Sequence, residues 1–405
     1  MKPIKILLAI RSLNFGGAER QWVLLAKELA KCPEIELRLC TLYGGGRLEY
    51  EIAGIPHICL HKKGRSDIGF LFAYRKVIKE FRPHCIYAFM PEMNVFSRLC
   101  SPFLGAKVIF GFRSSAIELN KLGLASKLYF YTQKFLSRFA DAILCNSYDA
   151  LSFYQSKGYY MKKALVVYNG IDTERFHRRD IQRFKKELGF TENTFVFGIV
   201  ARMDKVKDYP LFAHIAKGFI EQQKAQGNTE IAFVSLGKCD EKILKECLKI
   251  LGETQHQVLF LGAKNDVEAY YPLFDCILST SYTESFSNSI AEGMSCGCVP
   301  IVSDVGESKT IADFGQDSYC FSFSPRDDKS ALKCLESLYL LHNSSQLESL
   351  KNSARKHIVE QFSVESMVSK TSKILTHLAQ SKTLESLNID KQDISDKNSR
   401  QDLSQ

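Results

Sequence analysis

The feature of this sequence that most constrains the fold is a regular alternation of short β-rich apolar runs with amphipathic helical stretches. In the first half, residues 4–10 and 36–41 are predicted strands, and residues 19–31 between them are a predicted helix. The order continues with helices at residues 70–81 and 124–139 and strands at residues 85–89, 108–112, 142–145 and 164–168. Strands that alternate with helices in this way predict a doubly wound parallel sheet.

The same alternation begins again in the second half of the chain. Strands are predicted at residues 195–200, 231–236, 258–261, 275–278 and 299–302, and helices at residues 211–222, 241–251 and 289–294. A turn at residues 169–172 and a charged stretch at residues 175–186 separate the two halves. We therefore predict two Rossmann-like α/β domains, residues 1–175 and 190–362. Ligands should bind in a cleft at the carboxyl ends of both sets of strands.

The C-terminal end is predicted to contain one further helix and a tail. Residues 363–380 are expected to form a terminal helix that packs back on the first domain. Residues 381–405 are rich in Ser, Asp, Lys, Gln and Asn and contain very few large apolar side chains. Such a segment cannot bury enough surface to order itself, so we predict a disordered polar tail.

Cysteine usage and apolar run length indicate the compartment. The thirteen cysteines are odd in number and scattered, many of them inside apolar runs, which is typical of a reducing compartment. Cys296 and Cys298 lack a second ligand pair nearby, so we assign them to packing and not to zinc. The longest apolar runs are far shorter than the ~20 residues that cross a bilayer. We expect a cytoplasmic protein, with a peripheral location on the inner face of the membrane as a possibility.

The formal net charge of +9 is concentrated in one stretch of the chain. Between residues 61 and 141 there are fourteen Lys and Arg against five Asp and Glu, an excess of nine. If these bases share a face, they predict an anionic partner, either a membrane surface, a phosphorylated acceptor or nucleic acid. A solvated helix surface is the alternative. No recognised nucleic-acid-binding module is present, so we expect no nucleic-acid partner.

Two carboxylates lie eight residues apart after the predicted strand at residues 275–278. Glu284 falls in the strand-to-helix loop and Glu292 in the first turns of the helix, so both can face one cavity. The backbone N–H groups from Phe286 through Ser287 and Asn288 would then point at a bound diphosphate. For Glu292 there is an alternative, because Ser289 and Glu292 also fit the S-x-x-E pattern of a helix capping box.

Two cations and a glycine pair complete the candidate site. Arg202 and Lys207 share the loop after the first strand of the second domain. They could neutralise charge on a leaving diphosphate, although solvated loop charges would show the same pattern. Gly16 and Gly17, in the first β–α turn, permit close backbone approach to a ligand. The chain has no D-x-D pair for a divalent cation, so we expect no metal requirement.

Together these segments resemble the retaining GT-B glycosyltransferases of the large family (family 4 type) that builds bacterial polysaccharides and glycolipids. The resemblance runs from Ile4 to about Phe362 and includes the turns at residues 16–19 and 169–172 and the stretch at residues 296–306. It implies that Arg202 and Lys207 grip the donor diphosphate. Glu292 would hold the ribose hydroxyls, Glu284 would sit by the transferred sugar, and Gly16 and Gly17 would contact the donor from the opposite domain.

The chain departs from the family pattern at several positions. Ser285 and Asp208 stand where the family often has Gly, which could narrow the sugar pocket or shift the loop. Many relatives carry a His near the donor sugar, whereas the comparable loop at residues 111–115 contains Arg113. Arg113 is a candidate for binding an acceptor phosphate, and a structural salt bridge is the alternative.

The activity that the resemblance implies is transfer of a hexose from a nucleotide-diphosphate sugar, with retention, to a lipid-linked or cell-surface glycan. The leaving phosphate would take the acceptor hydroxyl's proton on the same face. Polysaccharide, lipopolysaccharide or capsule biosynthesis would be the setting. A nucleotide-sugar 2-epimerase or a phosphorylase shares this architecture. A non-catalytic nucleotide-sugar-binding membrane partner is a third alternative.

The predicted helix at residues 124–139 bears on the membrane question. It mixes six apolar residues with three bases, namely Leu124, Leu128, Phe130, Tyr131, Phe135 and Leu136 with Lys127, Lys134 and Arg138. This pattern is typical of an interfacial helix on an anionic membrane. Core packing is the alternative, because a doubly wound sheet also needs amphipathic helices on its faces.

Overall fold

The computed structural model describes residues 3–14, 16–64, 66–115, 123–315, 321–380, 382 and 384. Apart from residues 382 and 384, the predicted disordered tail lies outside the described residues. The chain forms two parallel sheets, and each has a buried apolar cluster on both faces. The predicted fold class, two Rossmann-like doubly wound domains, is confirmed.

The first sheet has seven parallel strands among the described residues. They are β1 (Ile4–Ile10), β2 (Ile35–Thr41), β3 (His57–Cys59), β4 (Cys85–Phe89), β5 (Lys107–Phe112), β6 (Ala142–Cys145) and β7 (Ala164–Val166). Their order across the sheet is β3-β2-β1-β4-β5-β6-β7. The helices that connect them are α1 (Gly17–Leu29), α2 (Gly69–Phe81), α3 (Pro91–Cys100), α4 (Leu124–Leu136) and α5 (Tyr148–Ser156).

The second sheet repeats this plan with six strands. They are β8 (Phe195–Val200), β9 (Ile231–Leu236), β10 (Val258–Phe260), β11 (Cys276–Ser279), β12 (Val299–Ser303) and β13 (Ser322–Phe323), in the order β10-β9-β8-β11-β12-β13. The remaining helices are α6 (Gln182–Glu187), α7 (Tyr209–Ala225), α8 (Glu241–Leu251), α9 (Asn288–Ser295), α10 (Ser308–Ala312), α11 (Asp328–Tyr339), α12 (Ser345–Gln361) and α13 (Val364–Ala379).

Strand β1 shows why its sequence is a continuous apolar run. Its side chains alternate between the two faces of the sheet, and both faces are covered by helices. Leu8 and Ile10 pack in the cluster that contains α1 and α13, whereas Leu7 and Ala9 pack in the cluster that contains α2 and α3. All four are fully buried. A strand that is buried on both faces needs apolar residues at every position, as parallel sheets generally do.

Helix α3 is an element that the sequence pattern does not predict. Its residues from Met93 to Ser97 are all buried. Because α3 lies between α2 and α4, it lacks the solvent-facing stripe from which an amphipathic helix is recognised.

The last helix, α13, lies against the first domain. Its Met367, Ile374 and Leu375 are buried in the cluster that contains β1 and α1. The chain crosses back at the turn after β7, where Ile171 N–H donates to Phe362 O at 2.8 Å and Val364 N–H donates to Ile171 O at 3.0 Å. A C-terminal segment of the chain thus completes one face of the N-terminal sheet.

Leu375→Ala should therefore destabilise the first domain. Leu375 is fully buried, and truncating such a leucine costs about 2–5 kcal/mol. Denaturant unfolding measures the decrease in the free energy of unfolding. Leu340→Ala is the matched control, because Leu340 is 83% exposed and its truncation should change stability little. An equally small effect at Leu375 would show that α13 does not stabilise this domain.

Candidate active site

A cavity of about 420 Å³ lies between the two domains. Its walls are built by loops that follow the carboxyl ends of strands in both sheets, as parallel α/β architecture predicts. The first domain contributes the loops after β1, β5, β6 and β7, and the second those after β8 and β11. The lining includes Gly17, Arg113, Asn146, Asn169, Arg202, Lys207, Glu284, Ser285, Phe286 and Asn288.

The structure brings the predicted site residues to this one cleft. Seven of them line the cavity, namely Gly17, Arg113, Arg202, Lys207, Glu284, Phe286 and Asn288. Glu292 lines a neighbouring cavity of about 510 Å³, and Asn288 lines both. Gly16 and Ser287 are the N-cap residues of α1 and α9, directly before Gly17 and Asn288.

An ion pair between Lys207 and Glu284 lies at the centre of the site. The Lys207 ammonium contacts Glu284 Oε1, and both side chains are mostly buried. Ser281 Oγ donates a second hydrogen bond to the same carboxylate oxygen at 2.9 Å. The lysine backbone is also fixed, because Thr280 Oγ1 donates to Lys207 O at 2.7 Å. The pair therefore presents a preorganised cation and a neutralised carboxylate to the cavity.

The loop after β8 holds the two predicted cations differently. Asp204 caps a short 3₁₀ turn by accepting from the N–H groups of Val206 and Lys207. Arg202 remains 81% exposed at the cavity rim, 3.5 Å from Asp204. The Arg202 guanidinium is thus exposed and paired with Asp204, whereas the Lys207 ammonium is mostly buried and paired with Glu284.

Asp208, one of the departures from the family pattern, has a structural explanation. Its φ of +45° falls in the left-handed region, where glycine is the least strained residue. Asp208 compensates by acting as the N-cap of α7, since its Oδ1 accepts from Leu211 N–H.

Glu292 lies inside α9 and not at its start. The helix begins at Asn288 after the N-cap Ser287, so the capping-box interpretation of Glu292 is wrong. Its Oε2 instead accepts a hydrogen bond from the buried Tyr271 hydroxyl at 2.7 Å. Burial raises the pKa of the Glu292 carboxyl, an effect that the Tyr271 hydrogen bond and the charges of Arg20 and Arg175 partly offset.

An asparagine pair crosses the domain boundary beside the glycine turn. Asn169 Nδ2 donates to Asn288 Oδ1 at 2.9 Å. A Cβ atom at Gly17 would approach Asn288 Nδ2 to 3.3 Å, so a side chain there would press on this pair. Asn146 and Asn169 line the cavity but were not among the predicted site residues. Asn146 directly follows β6, and Asn169 lies three residues after the end of β7. These positions at the carboxyl ends of strands are the signal that could have identified them.

Arg113 stacks on an aromatic ring. Its guanidinium lies 4.5 Å from the Phe89 ring centroid, and its Nε is buried without a hydrogen-bond partner among the described residues. Burial lowers the pKa of Arg113. Within the described part of the chain Arg113 forms no ion pair, so the salt-bridge alternative finds no partner there.

A third cavity, of about 430 Å³, opens on the first domain and was missed by the sequence analysis. It is lined by Arg11, Ser12, Asn14, Glu19, Tyr43 and Met90. Arg11 is held at 3.1 Å from Glu92. These residues are dispersed in sequence, and the sheet topology alone brings them together.

Two structural absences apply to the described residues. No group of three or more His, Cys, Asp or Glu side chains among them is placed to hold a metal ion. None of the helices within the same residues is long and apolar enough to cross a membrane.

Two facing Rossmann-like domains with a ligand cleft between them define the GT-B architecture. Solved structures share this fold. HepE from Anabaena, in complex with UDP, matches with a TM-score of 0.77 at 19% identity, over 92% of this chain and all of that one. HepE in complex with UDP-glucose matches with a TM-score of 0.73 over 92% of this chain and 99% of that one, also at 19% identity.

Family patterns and curated relatives agree with the fold. Glycosyltransferase Family 4 matches residues 15–175, and Glycosyl transferases group 1 matches residues 194–340. The chain therefore belongs to the family 4 type of glycosyltransferases and is an enzyme.

Two relatives illustrate the family. One is the UDP-Gal:alpha-D-GlcNAc-diphosphoundecaprenol alpha-1,3-galactosyltransferase of Escherichia coli, 22% identical over 78% of this chain and 81% of that protein. The other is the N-acetylgalactosamine-N,N'-diacetylbacillosaminyl-diphospho-undecaprenol 4-alpha-N-acetylgalactosaminyltransferase of Campylobacter jejuni. It is 25% identical over 87% of this chain and 94% of that protein. Both are transferases, so they give no support to the epimerase, phosphorylase or non-catalytic alternatives.

Tyr271→Phe should raise the pKa of Glu292 further. The variant keeps the buried ring and deletes only the hydroxyl that donates to the charged carboxylate. The ionised form of Glu292 is therefore destabilised relative to the protonated form. A carbon-13 NMR titration of glutamate-labelled protein, with Glu292→Gln to assign the signal, measures the pKa. Tyr270→Phe is the control. An unchanged midpoint in Tyr271→Phe would show that the hydroxyl does not stabilise the ionised carboxylate.

Proposed function

We propose that this enzyme transfers a hexose from a uridine-diphosphate sugar to a polyprenyl-diphosphate-linked glycan, with retention of anomeric configuration. The observation that carries the proposal is that the Lys207–Glu284 ion pair and Asn288, the first residue of α9, line the same inter-domain cavity. The UDP and UDP-glucose complexes of HepE support the donor class. The undecaprenol-linked substrates in the names of the two relatives support the acceptor class.

The donor diphosphate would lie between two positive groups. On one side is the N-terminus of α9, whose first N–H groups, near Ser287 and Asn288, favour an anion. On the other side are Lys207, already fixed, and Arg202, exposed at the rim. These fixed dipoles and charges would stabilise the leaving diphosphate as the glycosidic bond breaks. We propose that they do so without a metal ion.

Glu292 would hold the ribose at the adjacent cavity. An ionised carboxylate can accept two hydrogen bonds from neighbouring hydroxyls. The pKa of Glu292 is raised by burial, so its binding role needs the opposing contributions of Tyr271, Arg20 and Arg175. Gly16 and Gly17 would approach the donor from the first domain.

Retention requires a proton acceptor on the face from which the donor phosphate leaves. Glu284 lies in the cavity, but its charge is already matched by Lys207 and by the Ser281 hydroxyl. The Oε1 atom of Glu284 is thus already engaged by two donors. We therefore assign proton removal from the acceptor hydroxyl to the leaving phosphate, and we assign to Glu284 the orientation of the transferred sugar.

The acceptor would approach from the first domain. Arg113 faces the donor cavity, and Arg11 lines the third cavity, which is also in the first domain. A diphosphate-linked acceptor carries two negative charges that arginine binds well. We propose that Arg113 contacts the acceptor phosphate.

The layer of α2, α3 and α4 would place the enzyme on the membrane that carries such an acceptor. Helix α4 divides its apolar residues between two faces: Phe130 and Leu136 are buried in the core, whereas Leu124, Leu128 and Tyr131 are exposed. Other exposed apolar residues of this layer and its flanks are Ile68, Phe72, Leu99, Phe103, Phe135 and Phe139. Core packing thus accounts for only one face of α4. The bases of this segment are the half-buried Lys127 and Lys134 and the exposed Arg138.

Lys207→Ala and Arg202→Ala should each slow sugar transfer by roughly a hundredfold or more, the loss expected for one preorganised charge contact. The assay combines a panel of UDP-sugars with a polyprenyl-diphosphate-linked acceptor in excess EDTA. The parent enzyme is expected to stay fully active there and to give the retained anomer by NMR.

Lys205→Ala is the matched control, an exposed lysine of the same loop whose loss should leave the rate unchanged. A folded Lys207→Ala enzyme with the parental rate would contradict the assigned role of the ion pair. Activity that needs added magnesium or manganese would contradict metal-free catalysis.

Reversing three charges on α4 and the turn that follows it should release the enzyme from anionic vesicles. Each base contributes about 1 kcal/mol of attraction to an anionic leaflet, so losing three weakens partitioning a hundredfold or more. Cosedimentation compares the parent with the triple variant Lys127→Glu, Lys134→Glu and Arg138→Glu. The control reverses the same number of exposed charges on α8 of the second domain, at Lys242, Lys245 and Lys249.

The parent should bind anionic but not neutral vesicles and should dissociate in high salt. An equal loss of vesicle binding in both triple variants would show a general effect of net charge and not a specific docking face. Binding to neither vesicle type would remove the membrane proposal.

A further inference from the structure

The N-terminus of α5 in the first domain lies against loops of the second domain. The N-cap residue Ser147 is fully buried, and its Oγ accepts from Ala150 N–H at 2.9 Å. The next N–H groups, of Tyr148 and Asp149, have no acceptor within the first turn of an α-helix. They need one from elsewhere.

Glu307 of the second domain supplies that acceptor. Its Oε1 accepts from Tyr148 N–H at 2.8 Å and from Asp149 N–H at 3.2 Å, and the residue is 1% exposed. The hydroxyl of Tyr168 approaches its other oxygen at 3.4 Å. A buried carboxylate is costly unless it is well hydrogen-bonded, and a helix N-terminus is the backbone group that best compensates its charge. Glu307 therefore gains these partners only when the domains are together.

Ser285 makes a second set of contacts with the same helix end. Its hydroxyl donates to Asn146 Oδ1 at 2.9 Å. Because a hydroxyl has one proton, the 2.8 Å contact between Ser285 and Ser147 must be donated by Ser147. The hydroxyl that stands where the family often has Gly thus joins the two domains.

The loop that carries Glu307 packs directly against the loop that carries Glu284 and Ser285. Glu307 N–H donates to Ser285 O at 3.3 Å. Gly306 has a φ of +53°, and a Cβ atom there would overlap the carbonyl oxygen of Glu284. The loops that carry Glu284 and Glu307 consequently pack as one unit.

We propose that Ser285 and Glu307, with Ser147, Tyr148 and Asp149 as their partners, form a latch that fastens the two domains and thereby positions Glu284. Glu307 is not among the described residues that line the two donor cavities, so it acts through the closed geometry as a positioning residue. Its effect on turnover rests on the proposed function. The fastening of the domains does not.

Tyr148→Pro tests the latch with a minimal change. Tyr148 is the first helical residue of α5, a position where proline is favoured, and Ser147 before it is already extended at φ −164° and ψ 157°. The variant deletes the N–H that Glu307 accepts at 2.8 Å while leaving the helix intact. Tyr148→Ala is the matched control, because it loses the same ring but keeps the N–H.

Two readouts separate the latch from the activity. Small-angle X-ray scattering, with and without UDP, measures the radius of gyration, which should increase in Tyr148→Pro and not in Tyr148→Ala. Steady-state kinetics should show kcat reduced about tenfold, with KM for the donor within twofold of the parent, as expected when one charge-assisted contact is lost outside the donor site.

Glu307→Ala should behave like Tyr148→Pro, and Glu307→Gln should recover part of kcat, because its amide oxygen still accepts N–H bonds. Asp304→Ala removes an exposed carboxylate of the same loop and is the control. If the parent enzyme turns over no sugar donor, the scattering comparison alone tests the latch. A folded Tyr148→Pro or Glu307→Ala protein with the parental radius of gyration would overturn the proposal. A decrease in kcat no larger than that of the matched control variants would also overturn it.

Discussion

Every strand pair that defines the two sheets is parallel, and the rest of the molecule depends on this constraint. Parallel pairing requires a crossover between strands, so each sheet is covered by helices on both faces. It also collects all the strand-to-helix loops at one edge. Two such edges face each other here, which is why residues as distant in sequence as Gly17, Arg113, Lys207 and Glu284 line one cavity.

The electrostatics of the cleft follow from this arrangement. Lys207 and Glu284 neutralise each other, so a mostly buried cation is held in place at limited cost. Arg202 is held differently, because its side chain is exposed at the rim beside Asp204. One cation is thus mostly buried and fixed by an ion pair, and the other is exposed to solvent.

The sequence predicts most of the strands because their patterns are local, but it does not indicate the short edge strands β3 and β13. Strands β4, β6, β8 and β9 have the predicted limits, since their apolar runs end at polar residues or turns. Helix α3 is missed because its run from Met93 to Ser97 is buried at every position. Glu292 shows the limit of local patterns: Ser289 and Glu292 fit a capping box, but the helix begins at Asn288, and a tyrosine distant in sequence decides the contact of the carboxylate.

The chain crosses between the domains twice, once after β7 and once before α13, and the two crossings are hydrogen-bonded to each other at Ile171. Two adjacent, hydrogen-bonded segments resist sliding and twisting, but they can bend together as a hinge. We therefore expect any relative motion of the domains to be a rotation about an axis near Ile171. The two halves of the site, although they are carried by separate sheets, can then return to the same register after each opening.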